Sequence, residues 1–232
     1  MPESEDGLSK QKDNSVNNWM VDEHGEFIDL HAKLHSHSDV IDFLKRIEKE
    51  YSIRKYSNGN NAGARWLFQI YSSEFIQQLA IVLEKMLSQI DMDGPILEVM
   101  AGDGRLADFL APLVEREYVA SDVKSERYNI AYPKRIHQLD AEDAIAKFNP
   151  AIVVMSWEPY LSTKSLEIVD DGVPLIWIGN PERCGHFDLF DREHVKLDSA
   201  FCASRHDKIE EKESATDVFV FNCELGDCAS IR

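Results

Sequence analysis

The chain has 232 residues, of which 44% are hydrophobic. That composition suits one α/β domain with an extension and enough apolar material for a substantial core. Its 42 acids against 25 bases leave a net charge of −17, a field that repels phosphate backbones and disfavours bulk nucleic acid as a partner. No stretch approaches the roughly 18 uninterrupted apolar residues of a membrane span, and Met1-Pro2-Glu3-Ser4-Glu5-Asp6 lacks the basic start and apolar core of an export signal. The expectation is therefore a cytoplasmic protein without a membrane partner. Its four cysteines, Cys184, Cys202, Cys223 and Cys228, would stay reduced there and make no CxxC pair.

Residues 1 to about 18 are polar and charged, with Leu8 and Val16 the only large apolar groups. A disordered tail is expected, because so little apolar surface cannot offset the entropy of ordering. A helical extension over 19–94 follows. Val40, Ile41, Phe43, Leu44 and Ile47 form the apolar face of a helix capped by Ser38 or Asp39 and running to about Tyr51. The basic residues Lys45, Arg46, Lys49, Arg54, Lys55 and Arg65 alternate with Asp42, Glu48 and Glu50, which reads as a solvated helix face. Ser57-Asn58-Gly59-Asn60-Asn61-Ala62-Gly63 is a loop, and Ser72 or Ser73 caps a second helix carrying Phe75 to Leu87. His31, His35 and His37 with Asp29 match no fixed ligand spacing, so no metal site is read there.

From residue 95 to the end the rhythm alternates short apolar runs with helix-like segments, which predicts a Rossmann-like, doubly wound, mostly parallel sheet. Strands are expected near 95–100, 117–122, 134–139, 150–156 and 173–179. Val195 to Ala203 and Asp217 to Cys223 are β-leaning and lack an apolar helix between them, which fits a C-terminal antiparallel pair.

The most informative stretch is Ile96-Leu97-Glu98-Val99-Met100-Ala101-Gly102-Asp103-Gly104, a buried strand turning sharply toward a helix. Gly102 and Gly104 permit positive φ and close approach of a ligand to the backbone. About 20 residues after Gly102, a second apolar run ends in Asp122, the offset at which nucleotide-binding βαβ units place an acid on ribose hydroxyls. The turn lacks the third glycine of the dinucleotide pattern, and Glu98 and Asp103 make it acidic. An acidic turn suits a cationic ligand better than a pyrophosphate.

These features in this order resemble the class I S-adenosylmethionine-dependent methyltransferases over residues 95 to 223. The resemblance implies methyl transfer from S-adenosylmethionine to a small molecule or a protein side chain. It implies that Glu98, Ala101, Gly102 and Gly104 surround the methionine and ribose, that Asp122 grips the ribose hydroxyls, and that Asp140 and Ala141 meet the adenine. Ser156 would close the cofactor site. Trp157 and Tyr160 would wall the acceptor, with Glu158 and His186 as candidate general bases. Each has a plainer reading: Asp122 and Asp140 as helix caps, Trp157 as packing, His186 as a surface-loop residue. Ser156-Trp157-Glu158-Pro159-Tyr160 departs from the Asp/Asn-Pro-Pro-Tyr motif of amino-group methyltransferases, which argues against a nucleobase acceptor. A non-catalytic module of the same fold, binding cofactor or a basic protein partner, is the alternative.

Overall fold

The computed structural model of the chain describes residues 21, 26, 28–61, 63–125, 132–211 and 216–225. The tail expected over 1–18 and Cys228 lie outside the described residues. The architecture is mixed α/β, a mostly parallel seven-stranded sheet with a separate two-stranded antiparallel pair.

Three helices lead into the sheet. Helix α1 (His37–Glu50) begins two or three residues earlier than the sequence suggests, because Ser36 rather than Ser38 or Asp39 is the cap, its Oγ accepting the Asp39 N–H at 3.2 Å. The short α2 (Ile53–Ser57), which the sequence pattern did not reveal, packs Ile53 and Tyr56 against Phe43, Leu44 and Ile47 of α1. Helix α3 (Ser73–Leu87) is capped by Ser72, whose Oγ accepts the Phe75 N–H at 3.2 Å. Between α2 and α3 runs β1 (Gln69–Ile70).

The main sheet contains β2 (Ile96–Val99), β3 (Tyr118–Asp122), β4 (His137–Gln138), β5 (Ile152–Ser156), β6 (Leu175–Gly179), β7 (His194–Leu197) and β9 (Asp217–Phe221). Its order is β4-β3-β2-β5-β6-β9-β7. The first five strands are parallel, and β9 runs antiparallel between β6 and β7. The five predicted parallel strands are all present. The run from Val195 to Ala203 is not one strand: it breaks after Leu197, and β8 (Ala203–Ser204) leaves the sheet to pair with β1. This ties the N-terminal region to the C-terminal one.

Side chains along the central strands alternate between two buried faces, as a sheet covered on both sides requires. Ile96, Val154, Ile176 and Val218 meet Phe75, Ile76, Leu79, Leu83 and Met86 of α3 on one face. Leu97, Val153, Met155, Trp177 and Phe219 pack on the other, with Ala141 and Ala144 of α5 (Ala141–Phe148) and Ile168 and Val169 of α6 (Lys164–Asp170). Each of these large side chains contributes about 1.5–3 kcal/mol by leaving water. Cys184 and Cys202 are buried free thiols, and burial pushes both up to about 12. Among the described residues no helix is long and apolar enough to cross a membrane.

Candidate functional site

Strand β2 sits at the centre of the parallel order, with β3 on one side and β5 on the other. In such sheets the crevice beyond the carboxyl ends of the strands, where the winding direction switches, is the place ligands occupy. The backbone there is unusual. Met100, Gly102 and Gly104 have φ of +56°, +56° and +74°, and Trp157, just past β5, has φ +55°. Left-handed conformations at non-glycine residues cost free energy and cluster at sites that need a particular shape. Gly104 starts α4 (Arg105–Leu110), and a Cβ there would come within 2.3 Å of the Ile136 Cδ1. Gly104→Ala is therefore expected to cost about 1–2 kcal/mol from the backbone alone, seen as a lower urea midpoint at unchanged slope.

Asp122 joins this turn to the loop after β3. Its Oδ2 accepts the Gly102 N–H at 3.0 Å and its Oδ1 the Lys124 N–H at 2.6 Å. A carboxylate has further lone pairs on both oxygens, so Asp122 is aimed by the backbone and still able to accept ligand hydroxyls. Tyr132 lies near it, and burial followed by the Asp122 charge pushes that phenol up to about 12. Asp140 is the N-cap of α5, its Oδ1 accepting the Asp143 N–H at 2.8 Å. The capping role is therefore real, and Asp140 also lines the cavity beside the buried Ala141.

The acidity expected of the glycine turn is largely absent. Glu98 is 2% exposed, with the Tyr118 hydroxyl donating to its Oε2 at 3.4 Å. Burial, with smaller effects from Asp103 and Asp108, pushes its carboxyl up to about 8, so the group is mostly neutral at pH 7. Asp103 has its charge answered from the N-terminal region: His31 Nε2 lies at 2.5 Å and Arg65 at 3.7 Å. Burial would raise Asp103, but His31, Arg105 and Arg65 hold it below the usual carboxylate range. Because Glu98 is raised from an ordinary 4.5, the folded state keeps a proton that the unfolded chain loses. Its contribution to stability is present below about pH 4.5, declines as pH rises, and is gone above about 8. Glu98→Gln should flatten this segment of the stability profile, checked by urea unfolding at pH 5 and pH 9.

One cavity of about 780 Å³ runs from this turn to an aromatic wall. Glu98, Ala101, Gly102, Asp122, Asp140, Ala141, Ser156, Trp157 and Tyr160 all line it, while Gly104 shapes the turn. Trp157 donates its indole N–H to Gln69 Oε1 at 2.9 Å and stacks on His206, with centroids 5.4 Å apart and planes at 29°. Phe68 stands 6.1 Å from Trp157. Residues 64–69, 71 and 206 also line the cavity, brought together by the β1–β8 pair. No local motif marks them, so reading the chain in one dimension missed Phe68, Gln69 and His206. Arg65 leaves the supposed solvated helix face to join the site, whereas Lys45 stays on it, paired with Asp42 at 3.0 Å.

Both candidate general bases are reassigned. Glu158 is 1% exposed and its carboxylate accepts four bonds: from the Ser162 hydroxyl at 2.6 Å, the Ser165 N–H at 3.1 Å, the Ser165 hydroxyl at 2.5 Å and the Trp177 indole at 3.3 Å. It anchors the loop that leads into α6, and it also lines the cavity. His186 is outside the cavity, capping the 3-10 helix Phe187–Asp191 by accepting the Asp188 N–H at 3.3 Å.

No protein-family model and no curated protein matches the chain. Among solved structures, a protein of Thermoplasma acidophilum is similar with a TM-score of 0.36 and 13% identity, over 63% of this chain and 89% of that one. A candidate RNA methyltransferase of Pyrococcus horikoshii reaches 0.35 and 13%, over 63% and 83%. Human N-acetylserotonin methyltransferase, solved with S-adenosylmethionine, reaches 0.32 and 12%, over 64% of this chain and 53% of its own. Likeness this shallow decides no activity, and the residues of the cavity have to do so.

Proposed function

We propose that the chain binds S-adenosylmethionine at the carboxyl ends of β2, β3 and β5 and serves methyl transfer to a small molecule or a protein side chain. The observation that carries this reading is the continuity of the cavity from Gly102 and Asp122 to Ser156, Trp157 and Tyr160. When bound, the cofactor supplies a methyl group on a sulfonium, a good leaving arrangement for in-line displacement. Asp122 is the acceptor for ribose hydroxyls, held in place by the Gly102 and Lys124 amides. Ala141 and Leu139 give an apolar wall for a flat base. Trp157 and Tyr160 bound the acceptor end, so the chain's main contribution to rate is orientation.

A second reading, a non-catalytic module of the same fold, is favoured by one observation: both Glu158 oxygens are already bonded within the chain, and His186 caps a short helix away from the cavity lining. The two readings separate in one experiment. Purified protein incubated with S-adenosylmethionine and the small-molecule or protein fraction of a cell extract is expected to form S-adenosylhomocysteine. Binding of the cofactor without any such product would favour the module.

A further inference from the structure

A second cavity of about 380 Å³ adjoins the first, and Arg183 and His206 line both. Its other cations are Arg54, Arg205 and Lys208, facing the acids Glu48 and Asp207. Those acids are already engaged. Asp207 accepts the Ser204 N–H at 2.9 Å and the Ser204 hydroxyl at 2.7 Å, and Glu48 accepts the Glu210 N–H at 2.9 Å. Lys208 is paired with Glu211 at 2.9 Å. Among the described residues, no carboxylate stands within ion-pair distance of Arg54 or Arg183, both exposed. Two arginines without acidic partners therefore share a small cavity, in a chain whose net charge is −17. Beside them the rings of Trp157 and His206 lie stacked.

We propose that this second cavity is an anion subsite, holding the carboxylate or phosphate of a small acceptor whose flat ring lies against Trp157 and His206 in the main cavity. Arg54 and Arg183 supply the charge. Guanidinium groups suit both anions because their N–H donors match two oxygens at once. Burial first, and then the charges of Arg205, Arg183 and Arg54, push His206 down to about 4. Its ring is thus uncharged at neutral pH and stacks as a neutral aromatic. A bound anion offsets those charges and raises His206. The overall charge opposes binding of a polynucleotide backbone.

The word acceptor rests on the methyltransferase reading; the anion site rests on the arginines alone, so the test is run without cofactor. The ¹⁵N-labelled full chain is titrated with phenyl phosphate, with benzoate and with inorganic phosphate, and the His206 ring resonances are followed by NMR. Saturable shifts of His206 are expected with an aromatic anion, and the tighter of the two identifies phosphate or carboxylate as the preferred group. Arg54→Gln combined with Arg183→Gln should weaken that binding by about fivefold or more, the scale of two exposed charge contacts, and Arg183→Lys alone should weaken it less. Both arginines are exposed and, among the described residues, without an ion-pair partner, so these variants are expected to keep the fold. No saturable shift with either aromatic anion, or equal affinity in the double variant, overturns the subsite. Inorganic phosphate binding as tightly as phenyl phosphate overturns the role of the ring. Cofactor binding measured separately tests the other reading, so the two can fail independently.

Discussion

Replacing Glu158 with alanine is expected to lower the unfolding free energy by about 3 kcal/mol or more, the scale of two buried donors left without their acceptor. The loss arises because the Ser165 N–H and the Trp177 indole N–H would remain in an interior site without their acceptor, and each unsatisfied buried donor costs about 1–3 kcal/mol. Ser162 and Ser165 can rotate their hydroxyls away, so the two N–H groups carry most of the cost. Glu158→Gln keeps one acceptor oxygen and should lose roughly half as much. Urea unfolding checks this through the midpoint at constant slope. A variant with full stability and lost turnover would instead return Glu158 to the role of a base.

The second large effect is on cofactor affinity. Asp122→Ala should weaken S-adenosylmethionine binding by about tenfold or more, because ribose hydroxyls left without an acceptor in a partly buried site cost about 1–3 kcal/mol. The substitution also releases the Gly102 and Lys124 amides, which Asp122 now fixes. Asp122→Asn retains one acceptor oxygen and belongs between the two. Titration calorimetry on variants that keep the parent's melting temperature separates affinity from folding. Equal affinity for Asp122→Ala and the parent contradicts the assignment.

Four of the parallel strands, β2, β3, β5 and β6, were legible in the sequence because each is a mainly apolar run of four or five residues, and burial on both faces demands that pattern; β4 is two exposed polar residues at the sheet edge. Gly102 and Asp122 were legible for a related reason: a sharp strand-to-helix turn and an acid at the next strand end are local features. Glu158 was not. Its neighbour Trp157 has φ +55°, and what the following side chain meets depends on Ser165 and Trp177, which only the fold brings near. His186 misled because a histidine that caps a short helix has the same one-letter context as one in a site. The N-terminal wall is harder still. His31 meets Asp103 across 72 residues, and Gln69 meets Trp157 across 88, contacts that no periodicity encodes.

The central claim is that one cavity holds the cofactor at the β2–β3 edge. Backbone amide NMR of the full chain with added S-adenosylmethionine tests it most directly. The account expects saturable shifts concentrated at Gly102, Lys124 and Ala141, with Phe187 and Asp188 unmoved. Shifts absent at Gly102 and Lys124, or centred on the His186 loop, would contradict it.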